Sequence, residues 1–471
     1  RLEAPPDGTR MRRGGWLKPF LAGLCAGGAA LAIAQAASTR RRQVHRLFRP
    51  DGNRDGIPPV VVVPGIMGSG LLRPDGTRAW LNLRNAVGQY KLSLPLVLPL
   101  SESKDDLAPG ALLGTDEIVP RLFGFTEYYD LLELLAAVGF RPARTSGAAG
   151  LSQHVFAYDW RRDLVESARR LDETLDSLAD ARGDAATRFN IVGHSMGGLI
   201  ARYYLRYGTA EPDPGAPVTW AGARRIRNLI LVAVPNGGGI HALEALLLGN
   251  RVGLSYATLA SPVVTRMPSV YQLLPPAGAP ALVDHTGEPI AADLHDVETW
   301  RRFGWGPFGA ASRRLVALAD GRDKVEHSVF LEAALARARA FHAALDRTPD
   351  TPCPAKVILL GGDCLPTLAR ALVPEKPGLP RFEPLNRKEA EGMFDAGDGR
   401  VTRASVLGAH LPGADDTETG SGYPEVAQSF FGSADHHGIY DEPTFQSVLL
   451  RRLLRPVGIA KVELRVDKQH G

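Results

Sequence analysis

Residues 190–208 read NIVGHSMGGLIARYYLRYG, and the fold turns on how this stretch is understood. It holds the pentapeptide GHSMG, a Gly-x-Ser-x-Gly pattern centred on Ser195. The chain has 51 glycines in 471 residues, so a random sequence of this composition would carry about 0.3 such matches. The pentapeptide acquires meaning only from its context of strand, sharp turn and helix. Arg188–Val192 is a short, partly apolar run suited to a buried strand, and Leu199, Ile200, Tyr203, Tyr204 and Tyr207 then recur at helical spacing. Gly193, Gly197 and Gly198 let backbone pass where a side chain would block it, holding Ser195 exposed at the strand's end. The alternative is a Gly-rich helix start whose serine only caps it.

Outward from this stretch, apolar strands alternate with amphipathic helices. Pro59–Val63 is a continuous apolar run, as expected of a strand buried on both faces. Glu127–Val138 reads as a helix ended by Gly139, His154–Ala157 as a strand, and Asp163–Leu178 as a helix. Ile226–Val234 and Lys356–Leu360 read as further interior strands, and Pro443–Leu454 as a closing helix. This alternation implies an α/β protein with a mostly parallel sheet covered on both faces. From 241 to 349 the rhythm stops, with no strand signal except at Arg314–Leu318, so 241–349 is expected to be a mainly helical cap. Residues 66–126, with Trp80 and the apolar run 92–100, are expected to form a second, lid-like looped cover. The divisions are then a leader and linker (1–54), a first core part (55–240), the cap (241–349), a second core part (350–457) and a tail (458–471).

Composition is ordinary for a globular protein, 44% hydrophobic and 23% charged with net charge +4. Residues 1–54 nevertheless hold 11 Lys/Arg against 3 Asp/Glu, which leaves a slightly acidic body and gives no support for nucleic-acid binding. The uncharged segment 19–39 lies between Arg12-Arg13 and Arg40-Arg41-Arg42. As a helix it would reach about 31 Å, so it is expected to be an export signal or membrane anchor. That places the protein in a secreted, periplasmic or membrane-associated setting. Cys353 and Cys364 bracket an expected strand, too far apart for a disulfide, and are read as free thiols.

A serine hydroxyl needs a base, and the base needs an orienting group. In folds of this class the chain order is Ser, Asp/Glu, His. Asp398 in GDGRV (397–401) and the doublet His436-His437 in SADHHGIYDEP follow in that order.

Five stretches carry a resemblance: VVPGIMGSGL (62–71), FAYDWRRD (156–163), IVGHSMGGL (191–199), SVYQLLP (269–275), and GDGRV with the His segment. The chain resembles the lecithin:cholesterol acyltransferase family of α/β-hydrolases, which includes lysosomal-type phospholipases and phospholipid:diacylglycerol acyltransferases. PGIMGS and YDWR are more specific to it than GHSMG, while Arg400 departs from the Thr or Asp usual there. The resemblance implies Ser195 as nucleophile, Asp398 as orienting acid and His436 as base. His436 is preferred to His437 because an aliphatic residue three places on and Pro seven places on match Ile439 and Pro443. The oxyanion donors would be the Ile66 and Met196 N–H groups. Asp159 and Arg161 would form a structural ion pair, and Trp80 would be either a lid tryptophan or a core aromatic.

The expected function is a serine-dependent lipid acyl-ester hydrolase or O-acyltransferase, with a lipid or other acyl-ester substrate, an optional alcohol acceptor and a membrane surface as partners. No metal or organic cofactor is implied. A triacylglycerol lipase or general carboxylesterase is the nearer alternative. The remoter ones are an inactive binding scaffold and a metal-dependent phosphoesterase using Asp435-His436-His437 with His410 or Asp398.

Overall fold

Val60–Val63 forms a strand (β1) with every residue buried. Val61 and Val63 enter the core cluster on one face of the sheet, while Val60 and Val62 enter the cluster on the other. A period-2 backbone flanked by apolar layers on both sides requires such an uninterrupted apolar run. Burying each valine contributes roughly 1.5–3 kcal/mol. The computed structural model describes residues 48, 56–81, 92–113, 127–142, 151–251, 258–309, 321–375, 378–414 and 419–454. Segment 19–39, the tail 458–471 and the expected strand Arg314–Leu318 lie outside the described residues.

The remaining strands of the main sheet are β2 (Arg141–Pro142), β3 (Ser152–Val155), β4 (Phe189–His194), β5 (Ile226–Val232), β6 (Lys356–Gly362) and β7 (Val426–Gly432). They pair in parallel in the order β7-β6-β5-β4-β1-β3-β2. The register aligns Val63 with Gly193 and His194 with Val232. After β1 the chain goes to the edge strand β2, comes back inward with β3 beside β1, then crosses to the opposite side of β1 with β4. The carboxyl ends of β1 and β4 therefore form a topological switch point, where open α/β sheets place their ligand crevice.

On one face lie α2 (Leu164–Ala181), α3 (Met196–Tyr207) and α5 (His327–Asp346); on the other lie α1 (Glu127–Ala137) and α6 (Pro443–Leu453). Asp163, expected inside α2, is its N-cap and accepts from Val165 N and Glu166 N at 3.0 and 3.1 Å.

Several features differ from the sequence reading. The edge strands β2 and β7 carried no signal: β2 has two exposed residues including a proline, and β7 is mostly half-buried. Within the expected lid-like loop, Ser69–Leu72, Arg78–Trp80 and Ala108–Leu112 form an antiparallel sheet, and Leu92, Leu94 and Leu96 are buried. The expected cap begins with helix α4 (Ile240–Leu248), but its far end, α5, lies against α3. There Tyr203 stacks on Phe341 at 5.3 Å and Tyr207 donates to the Ala344 carbonyl at 2.8 Å. That end packs as a layer on the sheet's helical face. Two-residue strands absent from the reading also occur, and one of them, Leu282–Val283, pairs with Ala371–Leu372 beyond β6. No described helix is long and apolar enough to cross a membrane. Cys353 and Cys364 are free thiols, as read.

Candidate active site

Ser195 occupies the turn between β4 and α3 with φ 50° and ψ −129°. This region is rare for a non-glycine residue and costs about 1–3 kcal/mol unless the surroundings impose it. They do. Ser195 N–H donates to the Val232 carbonyl of β5 at 2.9 Å. A Cβ on Gly197 would sit 2.3 Å from the Pro64 carbonyl oxygen, and one on Gly198 would sit 2.1 Å from Val234 Cγ2. A Cβ on Gly193 would meet the Gly198 Cα at 2.7 Å. All three glycines are thus required for β4 and α3 to close on the turn. Ser195 stands at the helix N-cap, yet its side chain makes no capping bond. The reading of this serine as a simple cap is therefore set aside.

The segment after β1, Gly65-Ile66-Met67-Gly68, lies directly against it. A Cβ built on Gly65 would be 2.9 Å from Ser195 Cβ and 3.4 Å from its Oγ. The Pro64–Gly65 peptide is held at both ends by buried tyrosines. Tyr158 Oη donates to the Pro64 carbonyl at 2.8 Å, and Gly65 N–H donates to Tyr128 Oη at 2.7 Å. A peptide is planar, so two such bonds fix its orientation. Gly68 N–H closes the turn on the Gly65 carbonyl at 3.2 Å. Met67 sits at φ 64°, with its carbonyl accepting from Trp80 Nε1 at 3.0 Å. Neither the Ile66 nor the Met196 N–H meets an acceptor among the described residues. Two backbone donors beside a serine hydroxyl are what a developing oxyanion needs.

His436 and Asp398 come together from the second half of the chain. His436 Nδ1 and Asp398 Oδ2 are 2.8 Å apart, and His436 N–H donates to the Asp398 carbonyl at 2.9 Å. Asp398 Oδ1 accepts from Arg400 N and Val401 N at 2.9 and 2.7 Å. The turn is thus closed by backbone donors and does not depend on the side chain at 400. Burial pushes the Asp398 carboxyl upward, but the His436 imidazole and these N–H donors outweigh it, and its pKa lies below the ordinary value. Gly362, ending β6, makes room: a Cβ there would be 2.9 Å from Asp398 Cβ and 2.1 Å from the Ala434 carbonyl oxygen. His437 is exposed and T-shaped against His436. Asp435 turns its carboxylate to the His437 and Gly438 N–H groups, and His410 pairs with Asp346. The Asp-His-His triplet therefore spreads over different partners and offers no converging donor set. Among the described residues Ser195 Oγ makes no hydrogen bond to His436. Such contacts are often long in a free enzyme.

Asp159 and Arg161 do form a buried ion pair, with Arg161 Nη2 to Asp159 Oδ2 at 2.8 Å. A third partner, Asp105, was not foreseen and binds the same guanidinium at 2.7 and 2.8 Å. Between the tyrosine and this pair, Trp160 Nε1 donates to the Ser69 carbonyl at 3.1 Å. The SVYQLLP stretch locks the same segment from beyond α4: Ser269 Oγ donates to the Trp160 carbonyl, and Gln272 Oε1 accepts from Leu164 N. Trp80 is fully buried and packs edge-on to Trp160 at 5.4 Å. Sequence reasoning missed Tyr128, Tyr158, Asp105 and Gly362. Tyr158 lay inside the quoted FAYDWRRD, and Gly362 in the Gly pair ending a predicted strand.

Known proteins resemble this arrangement. The family model of lecithin:cholesterol acyltransferase matches residues 116–299, which include Ser195, FAYDWRRD and SVYQLLP. The crystal structure of the Tle4–Tli4 complex aligns over 84% of this chain and 98% of the other, at 15% identity and TM-score 0.54. The mature form of the Bacillus licheniformis lipase BlEst2 aligns over 85% and 92%, at 11% identity and TM-score 0.33. No curated protein matches the chain. With its parallel sheet, flanking helices and strand–serine–helix turn, the chain has the α/β-hydrolase fold, and its residues 116–299 are similar to the lecithin:cholesterol acyltransferase family.

Proposed function

We propose that the protein is a serine-dependent hydrolase or O-acyltransferase of lipid acyl esters, working through an acyl-enzyme on Ser195. The observation that carries this is the strained Ser195 turn packed against the Gly65 turn, with the Ile66 and Met196 N–H groups free of acceptors among the described residues. The His436–Asp398 pair supports it by favouring the tautomer with the proton on Nδ1, which leaves Nε2 free as a base. Ser195 Oγ attacks the ester carbonyl carbon while His436 Nε2 takes the hydroxyl proton. The Ile66 and Met196 N–H groups hold the resulting oxyanion, each contributing a few kcal/mol. Collapse breaks the bond to the alcohol oxygen, which leaves with the proton from His436. Water, or an acceptor alcohol, then gives its proton to His436 and attacks the acyl-enzyme; His436 passes that proton to Ser195 Oγ as the acyl–serine bond breaks, releasing the free acid or the new ester. Lipid substrates are favoured by the family region at 116–299. The apolar segment 19–39 would bring the enzyme to a membrane or export it, which fractionation with and without residues 1–54 tests.

Labelling with a fluorophosphonate probe tests the mechanism. Ser195→Ala and His436→Ala should lose labelling, while His437→Ala and EDTA-treated parent should keep it. Full labelling of Ser195→Ala would overturn the proposal. A panel of phospholipids, triacylglycerols and short esters, run with and without an alcohol acceptor, separates phospholipase, lipase, carboxylesterase and transferase outcomes.

A further inference from the structure

Behind Ser195 runs a buried chain of hydrogen bonds that the proposed reaction steps do not use. Gly65 N–H donates to Tyr128 Oη at 2.7 Å, and Tyr128 Oη lies 2.9 Å from His194 Nδ1. His194 Nε2 in turn lies 3.1 Å from the His436 carbonyl oxygen. Both ends are backbone groups of fixed sense, an N–H that can only donate and a carbonyl that can only accept. Between them one proton arrangement satisfies every contact: Tyr128 O–H donates to Nδ1, and Nε2–H donates to the His436 carbonyl. Tyr128 and His194 are each about 1% exposed, so water cannot substitute for a lost link.

We propose that Tyr128 and His194 are positioning residues that couple the oxyanion turn to the loop carrying the base. The reading rests on the proposed roles of Ser195, Ile66 and His436. The Tyr128 hydroxyl fixes the peptide before Ile66, on the N–H side of the bond that Tyr158 fixes on the carbonyl side. His194 neighbours the nucleophile in sequence and holds the backbone of His436, with the two rings 4.8 Å apart. One rigid pair thereby sets the distance between the oxyanion donors and the imidazole. The groups facing His194 are Tyr128 and Tyr440 on the apolar side, and His436, His437 and Asp398 on the polar side. Burial first, then the two neighbouring imidazoles, drives its pKa well below the ordinary value, which keeps the relay neutral at working pH.

The test compares Tyr128→Phe, His194→Gln and Tyr203→Phe with the parent, on a p-nitrophenyl acyl ester and in the rate of fluorophosphonate labelling, with thermal midpoints alongside. Tyr203→Phe is the control, because its hydroxyl donates only to the Ala210 carbonyl just beyond the C-terminus of α3, away from the turn. Tyr128→Phe should lower kcat ten- to a hundredfold with KM within twofold, and slow labelling in parallel. His194→Gln retains a donor for the His436 carbonyl and loses the acceptor for Tyr128, so it should show the same kcat loss. Tyr203→Phe should keep kcat within twofold at a similar midpoint. A kcat within threefold of parent in Tyr128→Phe, or equal losses in Tyr128→Phe and Tyr203→Phe, would overturn the coupling. If Ser195→Ala labels like parent, the nucleophile reading falls and this one with it. If Ser195→Ala is silent while Tyr128→Phe keeps kcat, only the coupling falls.

Discussion

Replacing Asp398 by Asn changes one atom in the site, and its consequence follows from which oxygen is already committed. Asp398 Oδ1 accepts from two backbone N–H groups, at 2.9 and 2.7 Å. An asparagine must keep its carbonyl oxygen there, because the amide NH2 would point donors at donors. The NH2 is then turned toward His436 Nδ1, which carboxylate Oδ2 now faces at 2.8 Å. To accept that bond Nδ1 must give up its proton, so the imidazole carries it on Nε2 and can no longer take one from Ser195. Ground-state contacts are nearly conserved, and the thermal midpoint should move by only a few degrees. The loss falls on the transition state, where it should reach about 10³–10⁴-fold in kcat, equivalent to about 4–5.5 kcal/mol.

Steady-state kinetics on a p-nitrophenyl ester, with burst amplitude measured on the same preparation, reads this directly. KM should stay within a few-fold of the parent, since no substrate contact is removed, and the acylation burst should disappear. A fall of less than tenfold in a folded Asp398→Asn protein would refute the reasoning. It would mean that the bond at 2.8 Å does not set the tautomer of the base, and that another acid, with Asp435 the nearest in sequence, supports it.

The remaining predictions concern stability. Glu425 is fully buried between Arg202 and Arg206, with contacts of 3.0 and 2.7 Å, so Glu425→Ala should cost about 3–5 kcal/mol by leaving two buried guanidiniums without their carboxylate; an unchanged urea midpoint would contradict this. Burial lowers the pKa of His194, His295 and His342, and brings His327 to about 4. The unfolded chain takes up protons near pH 6.5 while the native state does not, so stability is complete above about pH 6.5. It is lost as pH falls toward 4, by up to about 1.4 kcal/mol per pH unit for each histidine. Urea midpoints at pH 7, 5.5 and 4.5 should fall in that order, and equal midpoints would refute it.

The interior of the sheet was legible in the sequence because β1, β4, β5 and β6 each carry an apolar run, Val60–Val63, Ile191–Val192, Leu229–Val232 and Val357–Leu360, that is buried on both faces. Its edges were not legible, since β7 pairs on one side only and carries half-buried residues that leave no pattern. In the site, Ser195, Asp398 and His436 could be named because a turn of fixed glycines, a chain order and a family likeness all point to them. Tyr128 could not. Its two bonds reach Gly65 and His194, 63 and 66 residues away, and nothing in the helix around it distinguishes that tyrosine from Tyr129. Asp105, 56 residues from Arg161, was hidden in the same way. Long-range polar pairing leaves no periodic trace, which is why the supports of the site are harder to read than its reacting groups.

That asymmetry explains why PGIMGS and YDWR are more specific signals than GHSMG. A strand–serine–helix turn needs only glycines at 193, 197 and 198, a demand many sequences satisfy. The turn at 64–69 needs much more. Tyr158 Oη reaches Pro64, Tyr158 N–H reaches Ser69 Oγ, Trp160 reaches the Ser69 carbonyl, and Trp80 reaches the Met67 carbonyl. Each of these side chains can be replaced only by one with a donor at the same distance from the backbone, and the buried acceptors would otherwise cost about 1–3 kcal/mol apiece. Backbone N–H donors stabilise an oxyanion only if they are already aimed when charge develops, and this turn has no helix or sheet ladder of its own to aim them. The aiming is therefore delegated to side chains from β3's loop, which lie in YDWR, and to Trp80 and Tyr128, which lie in neither motif. The signature of the site lies in what holds the oxyanion turn still, while the serine itself is the least distinctive part of it.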